Sequence, residues 1–231
     1  MKTVGLIGGT GPESTIEYYR FIIEGYRARR DDGGYPSIFI NSVNLQQLIA
    51  WINAGELDAI ADYLVIEIEK LARAGADFGA LAANTPHIVF DQIRERVSLP
   101  LISIVESTCD KVKALGLKRP GLFGTRFTMQ GRFYPDVFSR NNLPLIMPND
   151  GEQALIHEKY FGELLKNIFL PETRRQLLDI VDRMKARAGI DGLILAGTEL
   201  PLLLRDSDHN GVPLLDTTKI HVETIVERLL S

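Results

Sequence analysis

"GLIGGTGPEST" (residues 5–15) opens as a buried strand, breaks into glycines and ends on the polar start of a new segment. Behind it, "PESTIEYYRFIIEGYRA" (12–28) carries apolar residues at three- and four-residue spacing, which predicts a helix. A strand that feeds a helix through glycines is the building unit of parallel sheets covered by helices. The glycines also let backbone N–H groups approach an anion at the helix N-terminus. As a dinucleotide fingerprint the stretch is poor. Its spacing gives Gly9-x-Gly11-x-x-Ser14, and the second strand ends near "INSVN" (40–44) without the acidic residue that would take a ribose hydroxyl. Ser14 and Thr15 either cap and turn the helix or hold a carboxylate.

Outward from this unit, short apolar runs alternate with amphipathic stretches along the whole chain. Strands are expected at Thr3–Ile7, Ser37–Asn41, Phe78–Ala82, Leu101–Ile104, Gly121–Phe123, Leu143–Met147, Gly192–Leu195 and Pro213–Leu215. Two further helical patterns, residues 56–75 and 171–189, both end in Arg-Ala-Gly, a helix C-cap signature. The fold class is therefore α/β. An internal echo divides it: "GLIGGT" (5–10) resembles "GLFGT" (121–125), and "ALAANT" (80–85) resembles "ILAGTE" (194–199). The offsets, 121 − 5 = 116 and 197 − 83 = 114, predict two pseudo-symmetric halves, 1–98 with 208–231 and 99–207. Turns at the carboxyl ends of parallel strands bind ligands, so Ala83 and Gly197 are expected to face one cleft.

Composition narrows the function. The chain has 231 residues, 26 basic and 30 acidic, for a net charge of −4. The densest basic cluster, "RARR" (27–30), is diluted at once by Asp31 and Asp32, so no nucleic-acid partner is expected. No apolar stretch reaches the ~18 residues of a membrane span, and the N-terminus reads as a strand rather than a signal peptide. One cysteine, Cys109, excludes an internal disulfide and fits a cytoplasmic protein. It lies in a helical pattern and reads as packing. No Cys/His cluster has metal spacing, so no metal is expected.

Four polar turns remain. "LAANTPH" (81–87) ends a strand on two alanines and then presents Asn84 and Thr85 before a helical pattern. "GTRFTM" (124–129) offers Thr125 and Thr128, and "GTELP" (197–201) offers Thr198 and Glu199. "DTTKIH" (216–221) offers Thr217 and Thr218, which either cap the last helix or face the cleft. Such neutral donors suit a carboxylate held exchangeably. His87 is either a general acid or base or an organiser of its own turn. Glu199 is either a buried acid of the site or a helix-start carboxylate.

Together, "GLIGGTGPESTIEYY", "ANTPH", "FGTRFTM", "GTELP" and "LDTTKIH" resemble the aspartate/glutamate racemase family, close to its aspartate racemase branch. The resemblance covers nearly the whole chain. It implies a two-domain pseudo-symmetric fold, a substrate cleft between the domains, a homodimer, and cofactor-independent inversion of an acidic amino acid. It also implies a two-base mechanism, in which one thiolate removes the Cα proton and a thiol on the opposite face returns one. The family's two cysteines precede Asn-Thr and Thr-Glu, which places them at Ala83 and Gly197, where neither residue carries an acid or base. Thr10, Asn84, Thr85, Thr125, Thr128 and Thr198 are the expected substrate-binding residues. His87 and Glu199 are the candidate replacements in proton transfer. Lys159, Lys166 and Arg126 are the candidate partners of a distal carboxylate. The implied function is an amino-acid racemase-type isomerase with altered or lost acid–base chemistry. The alternative is an inactive binding protein for a small acidic amino acid or dicarboxylate.

Overall fold

The computed structural model describes residues 2–231, Pro12 through its backbone alone. In chain order the chain forms β1 (Thr3–Gly8), α1 (Pro12–Arg27), β2 (Ser37–Ser42), α2 (Leu45–Ala54), α3 (Leu57–Arg73), β3 (Phe78–Leu81), α4 (Phe90–Arg94), β4 (Leu101–Ile102) and α5 (Ile104–Ala114). It continues through β5 (Pro120–Gly124), α6 (Arg126–Gln130), α7 (Phe133–Arg140), α8 (Asp150–Gly162), α9 (Pro171–Ala188), β6 (Gly192–Ala196), α10 (Leu200–Leu203), β7 (Asp208–His209), β8 (Val212–Asp216) and α11 (Thr217–Leu230). Short 3-10 turns cover Thr85–Val89 and Leu164–Lys166.

Two compact units result: one ends at Ser107 and resumes over Thr218–Ser231, and the other is Thr108–Thr217. The internal echo predicts these borders at 98/99 and 207/208. They lie later because β4 hydrogen-bonds to β3, through Gly79↔Leu101 and Ala80↔Ile102. Likewise β8 pairs with β6 through Leu193↔Leu214 and Ile194↔Leu215.

The first unit's sheet has the order β2-β1-β3-β4, with every pairing parallel. Alternate residues of a strand face opposite ways, and both faces are covered. Val4 and Leu6 of β1 pack with Tyr18, Ile22 and Tyr26 of α1 and with Val222, Ile225 and Val226 of α11. Ile7 and Leu81 turn the other way, onto Leu48, Ile60, Leu64 and Ile68 of α2 and α3. The Arg-Ala-Gly endings behave as expected: Gly75 after α3 and Gly189 after α9 take φ of 98° and 61°.

The second unit's sheet has the order β5-β6-β8-β7, with β7 the antiparallel member. Phe123, Leu193 and Leu195 pack with Ile156 and Tyr160 of α8 and with Leu177, Val181 and Met184 of α9. The strand expected at Leu143–Met147 is reduced to one parallel bridge, Gly121↔Ile146. Ile146 donates to the Pro120 carbonyl and accepts from Leu122 N–H. Pro144 and Pro148 flank it, and each removes a donor the ladder would need. The strand expected at Leu101–Ile104 stops at Ile102, because Ile104 already starts α5. With Ile146 in the place of β2, the two sheets share one connection pattern, β5, β6 and β8 standing where β1, β3 and β4 stand. The fold is two parallel-dominated sheets covered by helices.

Candidate functional site

In the first unit β1 and β3 are neighbours (Ile7↔Leu81), so the turns after them lie side by side. Ala82 N–H donates to the Ile7 carbonyl at 2.9 Å. Gly9 takes φ 79°, and a Cβ there would fall 2.4 Å from the Val43 carbonyl oxygen, so only glycine fits the turn. Its N–H donates to Thr15 Oγ1 at 2.9 Å, and Ser14 Oγ donates to the Ala82 carbonyl at 2.6 Å. Ser14 and Thr15 thus build the turn rather than await a ligand. Thr10 differs: its Oγ1 is buried and has no hydrogen-bond partner among the described residues. A hydroxyl left so costs about 1–3 kcal/mol, which a bound acceptor would recover. Asn84, 4% exposed, precedes the 3-10 turn that Thr85 begins.

His87 is fully engaged by backbone. Its Nε2 accepts from Ile104 N–H at 3.2 Å and must therefore be unprotonated, so Nδ1 carries the proton and donates to the Ala83 carbonyl at 3.0 Å. The ring stacks on Phe90, with centroids 4.7 Å apart. Burial, with His221 nearby, pushes its pKa down to about 3. This removes His87 from the candidate proton carriers: both nitrogens are occupied, and the residue orders the turn that carries Ala83 and Asn84. His221 of α11 is held similarly. Its Nε2–H donates to the Ile102 carbonyl at 3.1 Å and its Nδ1 accepts the Tyr18 hydroxyl at 2.8 Å. Burial takes its pKa to about 4.

In the second unit β5 and β6 are neighbours (Gly124↔Ala196), which sets the turns at Thr125 and Gly197 side by side. Thr125 caps α6, accepting from Thr128 N–H at 3.3 Å, and the two hydroxyls lie 3.2 Å apart. Thr128 is fully buried. The expected ligand donors Thr125 and Thr128 therefore bond to each other first. Thr198 Oγ1 donates to Glu199 Oε2 at 2.8 Å, and the Tyr160 hydroxyl donates to the same oxygen. Glu199, 4% exposed, is thus a buried carboxylate served by two hydroxyls. Thr217 Oγ1 donates to the Leu195 carbonyl at 2.9 Å, and Thr218 is buried beside it in α11.

The expected cations are solvent-facing or already paired. Lys159 is paired with Glu163 at 2.7 Å, and Arg126 and Lys166 are exposed. Two residues the sequence reading missed come from α8. His157 Nδ1 accepts Arg126 N–H at 3.2 Å, and burial followed by the Arg126 charge lowers its pKa. Tyr160 lies directly over Gly197. Only the bareness of position 197 hints in the sequence that another side chain must fill the space. Cys109 is buried in α5, remote in sequence from every turn described. Among the described residues no group of three or more His, Cys, Asp or Glu side chains gathers as a metal site, and no helix is long and apolar enough to cross a membrane.

The family model for Asp/Glu/Hydantoin racemase matches residues 7–225. The broad specificity amino-acid racemase RacX of Bacillus subtilis is 23% identical over 231 residues, covering 99% of this chain and 98% of RacX. Among solved structures, a Yersinia pestis protein assigned to the Asp/Glu racemases is 31% identical with a TM-score of 0.93, and each chain is covered completely. An aspartate racemase homologue from Pyrococcus horikoshii is 32% identical with a TM-score of 0.86, again over 100% of both chains.

Proposed function

The chain belongs to the Asp/Glu/Hydantoin racemase family, and from that premise we propose that it recognises a small acidic amino acid or dicarboxylate without inverting it through two thiols. One observation carries the reading: Ala83 and Gly197, which follow β3 and β6 and hold the positions the resemblance gives to the acid–base cysteines, have no ionisable group. Removing an essential acid or base typically costs ~10²–10⁴-fold, and here both would be gone. Groups suited to holding a ligand remain at the turns. Thr10 offers an unpartnered buried hydroxyl, and Asn84 and Thr85 stand at the start of a 3-10 turn. RacX, described as a broad specificity amino-acid racemase, supports an amino acid as the ligand. Cofactor independence, a cytoplasmic location and a homodimeric state belong to the same reading.

The reading is tested in two measurements on the purified protein. A thermal-shift and calorimetric panel of L- and D-aspartate, L- and D-glutamate, malate and succinate should show saturable stabilisation by at least one compound. Incubation of the same amino acids in D₂O should leave Cα undeuterated. No stabilisation by any compound counts against recognition. Deuterium at Cα would instead favour the isomerase reading, with Glu199 the first residue to substitute, because it is the buried carboxylate at these turns.

A further inference from the structure

Glycine at position 197 needs a physical explanation, and the backbone does not supply one. Gly197 is absent from the residues with left-handed φ, so no positive φ bars a side chain there. Space is what excludes a side chain. A Cβ at 197 would lie 2.6 Å from Tyr160 Cε2, 2.7 Å from its hydroxyl oxygen and 3.0 Å from Cζ. Real Cβ atoms essentially never show such contacts. Tyr160 cannot simply swing aside. Its ring belongs to the second unit's core with Ile156, Leu164 and Leu177, it is 5% exposed, and its hydroxyl is anchored on Glu199.

We propose that Tyr160 is the residue that closes position 197: its phenol occupies the space of the missing side chain, so the glycine and the tyrosine are one coupled feature. This rests on the functional reading above and gives it a cause. If position 197 is where the family places its second proton carrier, a hydroxyl tied to a carboxylate stands there instead. That hydroxyl cannot serve as a base in the thiolate's stead. Burial, then the Glu199 charge, holds the phenol's ionisation well above tyrosine's usual range, so no phenolate forms near neutrality. Its one proton is already donated to Glu199, so at position 197 it stands as a packed, neutral group rather than a proton carrier. Restoring a thiol at 197 alone would therefore collide with Tyr160, and the ring must be removed with it.

A double-mutant cycle tests this independently of any substrate. Urea midpoints are measured for the wild type, Gly197→Ala, Tyr160→Ala and the double variant. Gly197→Ala should lower the midpoint in the wild-type background and leave it unchanged or raise it in the Tyr160→Ala background. Equal shifts in both backgrounds would overturn the proposal. Should Gly197→Ala fail to fold, folding of the double variant supports the proposal, and failure of both overturns it. A second arm compares Cα deuteration of L- and D-aspartate by Ala83→Cys/Gly197→Cys with and without Tyr160→Ala. Exchange at least ~10-fold faster with the tyrosine removed is expected, and equal exchange in both would overturn the proposal. Exchange detectable in neither, with coupling present in the cycle, leaves the tyrosine's role standing and counts against aspartate as the ligand.

Discussion

Every ring nitrogen of His87 and His221 is engaged inside the first unit, so protonating either ring would break a hydrogen bond there. Nε2 of His87 accepts from Ile104, and Nδ1 of His221 accepts from Tyr18. Both folded pKa values, about 3 and about 4, lie below histidine's ordinary 6.5. The unfolded chain therefore takes up protons first as pH falls. The stability held by the neutral rings is complete above about pH 6.5 and is lost progressively as pH drops toward 4. Each ring contributes a slope of up to ~1.4 kcal/mol per pH unit in that window. Urea midpoints at pH 7.5, 6 and 5 should fall accordingly. His221→Gln, whose amide can donate to Ile102 and accept from Tyr18, should be the less pH-sensitive protein. An unchanged slope would show that the rings are not the titrating groups. At this scale the sequence is readable only by type: "ANTPH" marks the turn but leaves two roles open for His87. The backbone groups that decide between them arrive from Ala83 and Ile104, and the second is fixed only once α5 has docked.

Helix α8 shows why His157 and Tyr160 are not legible as site residues in the sequence. Three helices, α1, α3 and α9, announced themselves by apolar spacing, and α9 also by Pro171 at its start and Gly189 at its end. Helix α8 buries Glu152 and Gln153 along with Ile156 and Tyr160, so its inward face is not an apolar stripe. The buried charge is matched rather than avoided. Asn149 and Glu152 form a reciprocal capping box, and Glu152 also receives Arg183 at 3.0 Å and Arg187 at 2.6 Å. Burial alone would raise the Glu152 pKa, but Arg187, the Asn149 N–H and Arg183 outweigh it and take the pKa to about 2. Glu152→Ala should cost ~2–3 kcal/mol through the lost cap and the broken ion pairs, read as a fall in urea midpoint at pH 7. The loss should shrink as pH falls from ~4.5 toward 2, where the wild-type carboxylate is itself neutralised. A cost below ~0.5 kcal/mol would mean the network is surface ornament. Because this helix delivers Tyr160 to Gly197, loosening its start should also raise the tolerance for a side chain at 197.

Across the whole molecule, the echo between residues 5–10 and 121–125 matches two sheets of like connectivity. The edge of the second was illegible, because Pro144 and Pro148 cut an apolar run down to a single bridge. The exact borders were illegible too, since only strand pairing assigns β4 and β8 to their sheets. The first unit is discontinuous: the second is inserted between Ser107 and Thr218, and α11 closes the first. Ile225 of α11 is fully buried in the core formed with Val4, Leu6 and Tyr18. Ile225→Ala should therefore destabilise by ~2–5 kcal/mol. In hydrogen exchange the loss of protection should concentrate in β1 and β3 rather than in β5 and β6; uniform loss would show that the units open together. The same insertion sets an order on biosynthesis. A ribosome finishes the continuous second unit with β8, while the first still exposes the apolar face that α11 will cover. At ~5–20 residues per second, the 14 residues of α11 take roughly one to three seconds to make. For that interval the earlier-made half of the nascent chain is the one that a chaperone would have to shield.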